Sequence, residues 1–401
     1  MPKQKSQSTI RARAKRTVEK NKKNSLHPLL NARAAKKAKL TKEYGLPADS
    51  KFLFFKKGRK YGRPRFRLTY GTVVCLDADT SELLLIARFN ERNESNKKLF
   101  ALFDHAISTA YTHSTARNLI DINGASYKEK RRSRKYGKMY AFGMRAGFEK
   151  ECLALTASYS WNEQTSRDLA KMQEDLECQE NLLEIENFFA ERFSGLSSYA
   201  FQSNADLAKA TNAPSWAGES FYVSPNATVF SSNVTVTFDQ FTNKKHKDRD
   251  ATEYAFGFFS LIDRKTGGLY ERGPSAPRGN VLGSCFVLDD YNLEVDLDAC
   301  DGVIELLWRT KVHHRTTPSK TFNARKEVIA PELAEVRRFA CSVQISQALV
   351  DRISKVYEMR EGMTSEKWVE YRDSKLHGWG FEARKKMKAL AIKHGVWDDS
   401  F

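Results

Sequence analysis

The triplet His246-Lys247-Asp248 places an imidazole and a carboxylate two residues apart. In an extended segment, side chains at i and i+2 point to the same side. Following the β-rich run NVTVTFDQF (233–241), both groups can face one interior point. Sixty-six residues beyond Asp248, after the apolar run GVIELLWRTKV (302–312), the chain reads His313-His314-Arg315-Thr316-Thr317-Pro318. Three of the eight histidines fall in these two clusters, each at the expected end of a strand. Two His and one carboxylate form the facial set that binds Fe(II) and leaves three positions for a bidentate co-substrate and dioxygen. The third ligand must then come from another strand of the same sheet. Arg337-Arg338 opens a later apolar run, RRFACSVQIS (337–346). An arginine there suits the remote carboxylate of 2-oxoglutarate, which calls for a bidentate charge-assisted pair. His-x-Asp alone arises by chance in a chain with 29% charged residues, and the same ligands suit a Zn or Mn hydrolase. A two-metal nuclease needs more carboxylates; Asp248 and Asp250 have no acidic counterpart near His314. The phosphodiesterase pattern His-x-Lys-x4-Asp does not fit, because Lys247 follows His246 directly.

Positioning such residues takes a folded scaffold, and the composition allows one. The 401 residues are 41% hydrophobic, with 25 Phe, 15 Tyr and 6 Trp. The net charge of +18 is uneven: residues 1–40 hold thirteen Lys or Arg against Glu19 alone. A cationic arm on a nearly balanced body points to a polyanionic partner. Residues 128–138 add a second basic run, KEKRRSRKYGK, with tyrosines around it, either a solvated loop or a segment that grips a phosphate backbone. Arg13-Ala-Lys15-Arg16 with Lys20-Asn-Lys22-Lys23 has the form of a two-part nuclear localisation signal. No apolar run reaches the length of a transmembrane helix, and the N-terminus lacks a secretory h-region. The six cysteines (75, 152, 178, 285, 300 and 341) never form C-x-x-C, which argues against a zinc ribbon or a disulfide scaffold.

Residues 66–89 read as a hairpin turning at Asp77-Ala-Asp79, and 161–193 as a long helix used as scaffold. From Ser220 onward, short β-rich runs alternate with turn-formers such as Lys265-Thr-Gly267-Gly268 and the segment 273–277. The expected fold is α+β: a double-stranded β-helix (jelly roll) with flanking helices and a basic N-terminal arm. The expected parts are the arm (1–45), a mixed hairpin and helical part (46–219), the jelly-roll core (220–355) and a C-terminal helical segment (356–401).

The order of these motifs resembles the fungal TET/JBP-like 2-oxoglutarate Fe(II) oxygenases. The carrying residues are His246-x-Asp248, then Phe286-x-Leu288-x-x-Tyr291-x-Leu293, then His314-Arg315-Thr316-Thr317-Pro318, then Arg338-Phe339-x-x-Ser342-Val343-Gln344, with GKMYAFGMR (137–145) upstream. The likeness spans roughly 50–355. It implies that His246, Asp248 and His314 hold Fe(II), that His313 turns aside as a neighbour, and that Arg338 binds 2-oxoglutarate, with Arg337 and Arg325 as fallbacks. Animal relatives place a Ser two positions after this Arg, where this chain has Ala340 and then Ser342. They also carry a co-substrate-touching His on the strand that corresponds to SCFVLDDY (284–291), which has none. The resemblance implies oxidation of a methyl group by Fe(II), 2-oxoglutarate and O2, with DNA as partner and 5-methylcytosine as the simplest substrate. The same chemistry on N6-methyladenine, thymine or RNA is the first alternative, and an inactive transposon-associated DNA-binding protein the second. A base in a duplex must flip out to reach a buried metal, and Tyr222, Tyr254, Phe256 and Trp308 are candidates to stack on it.

Overall fold

The computed structural model describes residues 34–59, 65–120, 137–146, 161–218, 228–271, 281–323, 325–375 and 379–395. Most of the basic arm, the 128–136 part of the basic run, Tyr222 and the 273–277 turn lie outside these residues. The N-terminal half supplies α1 (Ala34–Tyr44), β1 (Lys51–Phe55), β2 (Phe66–Leu68), β3 (Thr72–Asp77), β4 (Leu83–Glu91), α2 (Lys97–Thr115), β5 (Lys138–Gly143), α3 (Leu169–Ser194) and α4 (Ser198–Thr211). Next come β6 (Asn233–Phe238), β7 (Tyr254–Asp263), β8 (Val281–Leu282), β9 (Cys285–Leu288), β10 (Leu293–Asp296) and β11 (Gly302–Arg309). The chain ends with β12 (Arg315–Thr316), β13 (Lys320–Phe322), β14 (Val328–Ile329), β15 (Val336–Gln344), α5 (Gln347–Glu361), α6 (Ser365–Lys375) and α7 (Trp379–Lys393). The fold is mixed α+β.

Local chemistry explains the boundaries. The Asp77 carboxylate accepts from the N–H groups of Asp79 and Thr80 at 2.8 and 3.0 Å, which makes the β3–β4 hairpin an Asx turn. The long helix starts at Leu169 rather than 161, because the Asp168 side chain caps it by accepting from Ala170 and Lys171.

Eight strands form the main sheet in the order β1-β3-β4-β11-β7-β15-β6-β5. Only its β1–β3 pair is parallel. The sheet draws β1, β3, β4 and β5 from residues 46–219 and its other four strands from 220–355, so the boundary at 219/220 runs through one sheet. A four-stranded sheet, β12-β9-β10-β2, faces it, and β14-β13-β8 form a third.

Both faces of the main sheet are covered. On one, Phe256 and Phe258 of β7, Leu307 of β11 and Val236 of β6 pack on Phe103 of α2 and Phe189 and Phe193 of α3. On the other, Ala255, Phe259, Leu306 and Trp308 pack on Phe286, Leu293 and Val295 of the smaller sheet. A strand buried on both faces reads as a continuous apolar run, which is the texture of YAFGFFSLID. Alternation then decides which aromatics meet the site. Tyr254 and Phe256 fall on the helix side and belong to that core, so they are corrected from base-stacking candidates to packing residues. Gly257 marks the tightest approach of β7 to β15: a Cβ there would stand 2.2 Å from the Cys341 carbonyl oxygen.

Among the described residues no helix is long and apolar enough to cross a membrane. The five described cysteines, Cys75, Cys178, Cys285, Cys300 and Cys341, are buried and form no disulfide among the described residues.

Candidate metal and co-substrate site

The structure brings His246, Asp248 and His314 together, with one ligand atom from each lying within 4.8 Å of the others. The local scaffold differs from the expected strand ends. Strand β6 stops at Phe238, because Asp239 and Gln240 take left-handed backbone angles (φ 57° and 60°) and turn the chain. His246 lies beyond this turn and meets His314 through a single antiparallel bridge, with reciprocal N–H···O bonds of 3.0 and 2.9 Å. Asp248 is fixed by its own N–H, which donates to the Thr310 carbonyl at 3.0 Å. The expectation that the third ligand shares a sheet with the first two is also corrected. His314 leads into β12 of the smaller sheet, so the trio sits at the seam where the two sheets meet.

The donor atoms are preset. His246 Nδ1 lies 2.9 Å from the Lys244 carbonyl, and His314 Nδ1 lies 2.9 Å from the Val312 carbonyl. A carbonyl only accepts, so both rings carry a proton on Nδ1, which turns Nε2 inward, where it donates to Asp248 while protonated and offers its lone pair to a metal once that proton is lost. The two Nε2 atoms stand 3.3 Å from Asp248 Oδ1 and Oδ2 respectively. Ligands held ~2.1 Å from one ion at right angles lie about 3 Å apart, so this arrangement fits a divalent metal with little adjustment.

Hydrogen bonds from His246, His314 and Trp308 overcome the opposing effect of burial and hold the Asp248 carboxyl far below the carboxylate range. The hydrogen bond to Asp248 in turn raises His246 above its ordinary value, against burial. Trp308 Nε1 donates to Asp248 Oδ2 at 3.1 Å, and Phe286 stacks on His314 at 5.3 Å and 17°. Trp308, one of four candidates to stack on a base, thus orients the Asp248 carboxylate. Trp308→Phe keeps the ring and removes the donor; metal titration is expected to show an affinity about 10–100-fold weaker.

A cavity of about 240 Å³ opens beside the trio. Its walls include Phe259, Phe286, Thr316 and Asn243, and from β15 Ala340, Ser342 and Gln344. Arg249 also lines it, while Lys244, Lys245 and Lys247 are exposed on the same segment.

Arg338 lies on the cavity face of β15, two residues before Ala340. It is 5% exposed and donates to the Ser284 hydroxyl and to the carbonyl of Phe241, itself a wall residue. Burial lowers its guanidinium to about 10, and among the described residues it makes no ion pair. The fallbacks are placed elsewhere. Arg337 points to the helix side, 3.3 Å from Asp239 and over the rings of Tyr111 and Phe238. Arg325 is exposed in a turn. His313 turns from the trio to Asp290, at 2.8 Å.

Sequence reading missed Ser284 as the partner of Arg338, Phe286 as the ring under His314, and Asn243, whose side chain accepts from the Thr316 N–H at 2.7 Å. The lack of a His in SCFVLDDY was visible; that the stretch supplies Ser284 and Phe286 instead needs the sheet register.

Comparison with known families decides what this arrangement belongs to. The model of the Tet-like 2OG-Fe(II) oxygenase superfamily matches residues 111–319, just over half of the chain. The chain belongs to this family. No curated protein matches it. As a member of the Tet-like 2OG-Fe(II) oxygenase superfamily it is a 2-oxoglutarate- and Fe(II)-dependent dioxygenase, using Fe(II), 2-oxoglutarate and O2. The match contains the His-Asp-His trio and ends before β15, so Arg338 lies beyond it.

Proposed function

We propose that the protein oxidises the methyl group of 5-methylcytosine in DNA, giving 5-hydroxymethylcytosine and further oxidised forms. The observation that carries the reading is the pairing of a His-Asp-His trio with a basic segment: Lys244, Lys247 and Arg249 flank the ligands His246 and Asp248 in sequence. Cations placed there suit the phosphates on either side of a flipped nucleotide. The two facing sheets are, in this reading, the halves of a jelly roll with the metal at its seam. The basic arm adds sequence-blind affinity, and its bipartite basic motif fits a nuclear location.

In this reading His246, Asp248 and His314 hold Fe(II), and Arg338 takes the remote carboxylate of 2-oxoglutarate. The bound iron supplies oxygen activation and cleavage of the methyl C–H bond. The chain's own residues do the rest. The Nδ1–H bonds to Lys244 and Val312 keep both Nε2 atoms aimed inward. Phe286, Phe259 and Trp308 keep the inner wall dry. Asn243, Ser342 and Gln344 offer polar groups along the cavity to a bound base.

The test incubates the full chain with Fe(II), ascorbate and 2-oxoglutarate on duplex DNA bearing 5-methylcytosine, with mass spectrometry of the nucleosides. Oxidised cytosines that vanish in a His246→Ala/Asp248→Ala variant are the expected result. Succinate without oxidised cytosine would move the substrate to N6-methyladenine, thymine or RNA, each run in parallel. Absence of both products would leave a DNA-binding protein without turnover.

A further inference from the structure

Arg338 and Asp298 are joined through one serine. The Ser284 hydroxyl accepts from Arg338, while the N–H groups of Gly283 and Ser284 donate to Asp298 Oδ2 at 2.5 and 3.0 Å. The other oxygen, Asp298 Oδ1, is buried without a hydrogen-bond partner. Arg338 is buried without an ion pair among the described residues, and Asp298 is the carboxylate whose charge reaches it. A buried cation lacking a contact counter-ion and a buried carboxylate oxygen lacking a donor are both costly.

The surroundings leave these two groups to each other. On its own segment Asp298 faces Asp296, whose carboxylate pairs with Arg67 of β2 at 3.4 Å. From β9 it faces the Cys285 thiol, which burial pushes up to about 12 and so keeps neutral. From β15 it faces Arg338.

We propose that Asp298 is the resting counter-ion of Arg338 and that it takes up a proton when the remote carboxylate of 2-oxoglutarate claims the guanidinium. The inference rests on the reading of Arg338 as the co-substrate anchor. Two carboxylates sharing one buried cation cannot both stay ionised cheaply, and a solvent proton on Asp298 restores the balance. Burial already pushes the Asp298 carboxyl up to about 6. It is therefore ionised at neutral pH and must gain a proton on binding. The sign follows: 2-oxoglutarate affinity is highest below about 6 and falls as pH rises past it, by up to about tenfold per pH unit.

The experiment is calorimetry of 2-oxoglutarate binding to the full chain with Mn(II) held saturating at every pH, in two buffers of unlike ionisation heat, from about pH 5.5 to about pH 8.5. The native protein is expected to take up a proton and to bind more weakly with rising pH. Asp298→Asn, which keeps an acceptor for the two N–H groups, is expected to take up none, to bind more tightly near the alkaline end and to flatten the profile. Asp298→Ser serves as a second variant should the first fold poorly. Equal proton uptake in native and Asp298→Asn protein would overturn the proposal. So would weaker binding by the variant with an unchanged profile, since that is mere structural support. Arg338→Met separates the two levels: retained binding in that variant removes the anchor itself, whereas lost binding with unchanged uptake in Asp298→Asn removes only the proton coupling.

Discussion

Asp248→Asn abolishes 2-oxoglutarate turnover, by more than the roughly 10–100-fold expected for a residue that only supports a ligand. The substitution is isosteric, and an amide oxygen can still accept from Trp308. What it removes is the negative charge that both Nε2 atoms face at 3.3 Å. A divalent ion then meets two neutral imidazoles and no anion, and the facial set loses its hardest donor. Fe(II) titration and succinate formation should fail together. The same geometry gives a pH dependence. In the metal-free site the hydrogen bond to Asp248 raises His246, so a proton competes with the metal at a pH above the ordinary histidine value. Metal affinity is therefore full at higher pH and is lost as pH falls through the raised His246 value. In the metal-free protein Asp248→Asn removes the cause, so the titration of His246 itself is expected to shift downward.

Arg338→Met raises the KM for 2-oxoglutarate while leaving metal affinity in place. Removing one partner of a buried hydrogen-bonded charge pair costs about 2–5 kcal/mol, which is ~30-fold to several-thousand-fold in affinity. The upper part of that range is expected, because Arg338 is buried and its neighbour Arg337 cannot substitute for it: Arg337 faces the helices and is engaged by Asp239 and Tyr111. Arg338→Lys should recover part of the loss, since a single ammonium retains the charge but not the planar fork that meets a carboxylate with two bonds. Initial rates against 2-oxoglutarate concentration separate these outcomes from a change in kcat.

How much of this site could be read from sequence depends on what each residue's role rests on. His246 and Asp248 stood out because two-residue spacing constrains two side chains at once, and His314 because its His-Arg-Thr-Thr-Pro context resembles the family; the structure brings the three together. Strand alternation allowed only one of Arg337 and Arg338 to face the site, the family resemblance favoured Arg338, and the structure places the two on opposite faces. Tyr254 and Phe256 failed as site residues for a related reason. In a strand apolar on both faces, composition no longer marks which side is which. Asp298 was invisible: nothing in its local sequence differs from the acids around it, and its role comes from Ser284 and Arg338, brought to it by the packing of two sheets. The sharing of one sheet between residues 46–219 and 220–355 was likewise beyond reading, because strand pairing as distant as Asn90 with Val303 leaves no local mark.

The position of β15 in the main sheet also bears on how the enzyme comes into being. It is the last strand among the described residues, yet it lies between β7 and β6 rather than at an edge. Before Val336–Gln344 leaves the ribosome, the β5–β6 pair lacks its neighbour in the sheet, and the cavity wall formed by Ala340 and Ser342 does not exist. Closure of the sheet thus waits for a C-terminal insertion built on long-range pairings, the slow class of folding reactions. His246, Asp248 and His314 are synthesised earlier, and the strand bearing Arg338, the proposed co-substrate anchor, follows them, so a nascent chain carries the candidate metal trio before that anchor is in place.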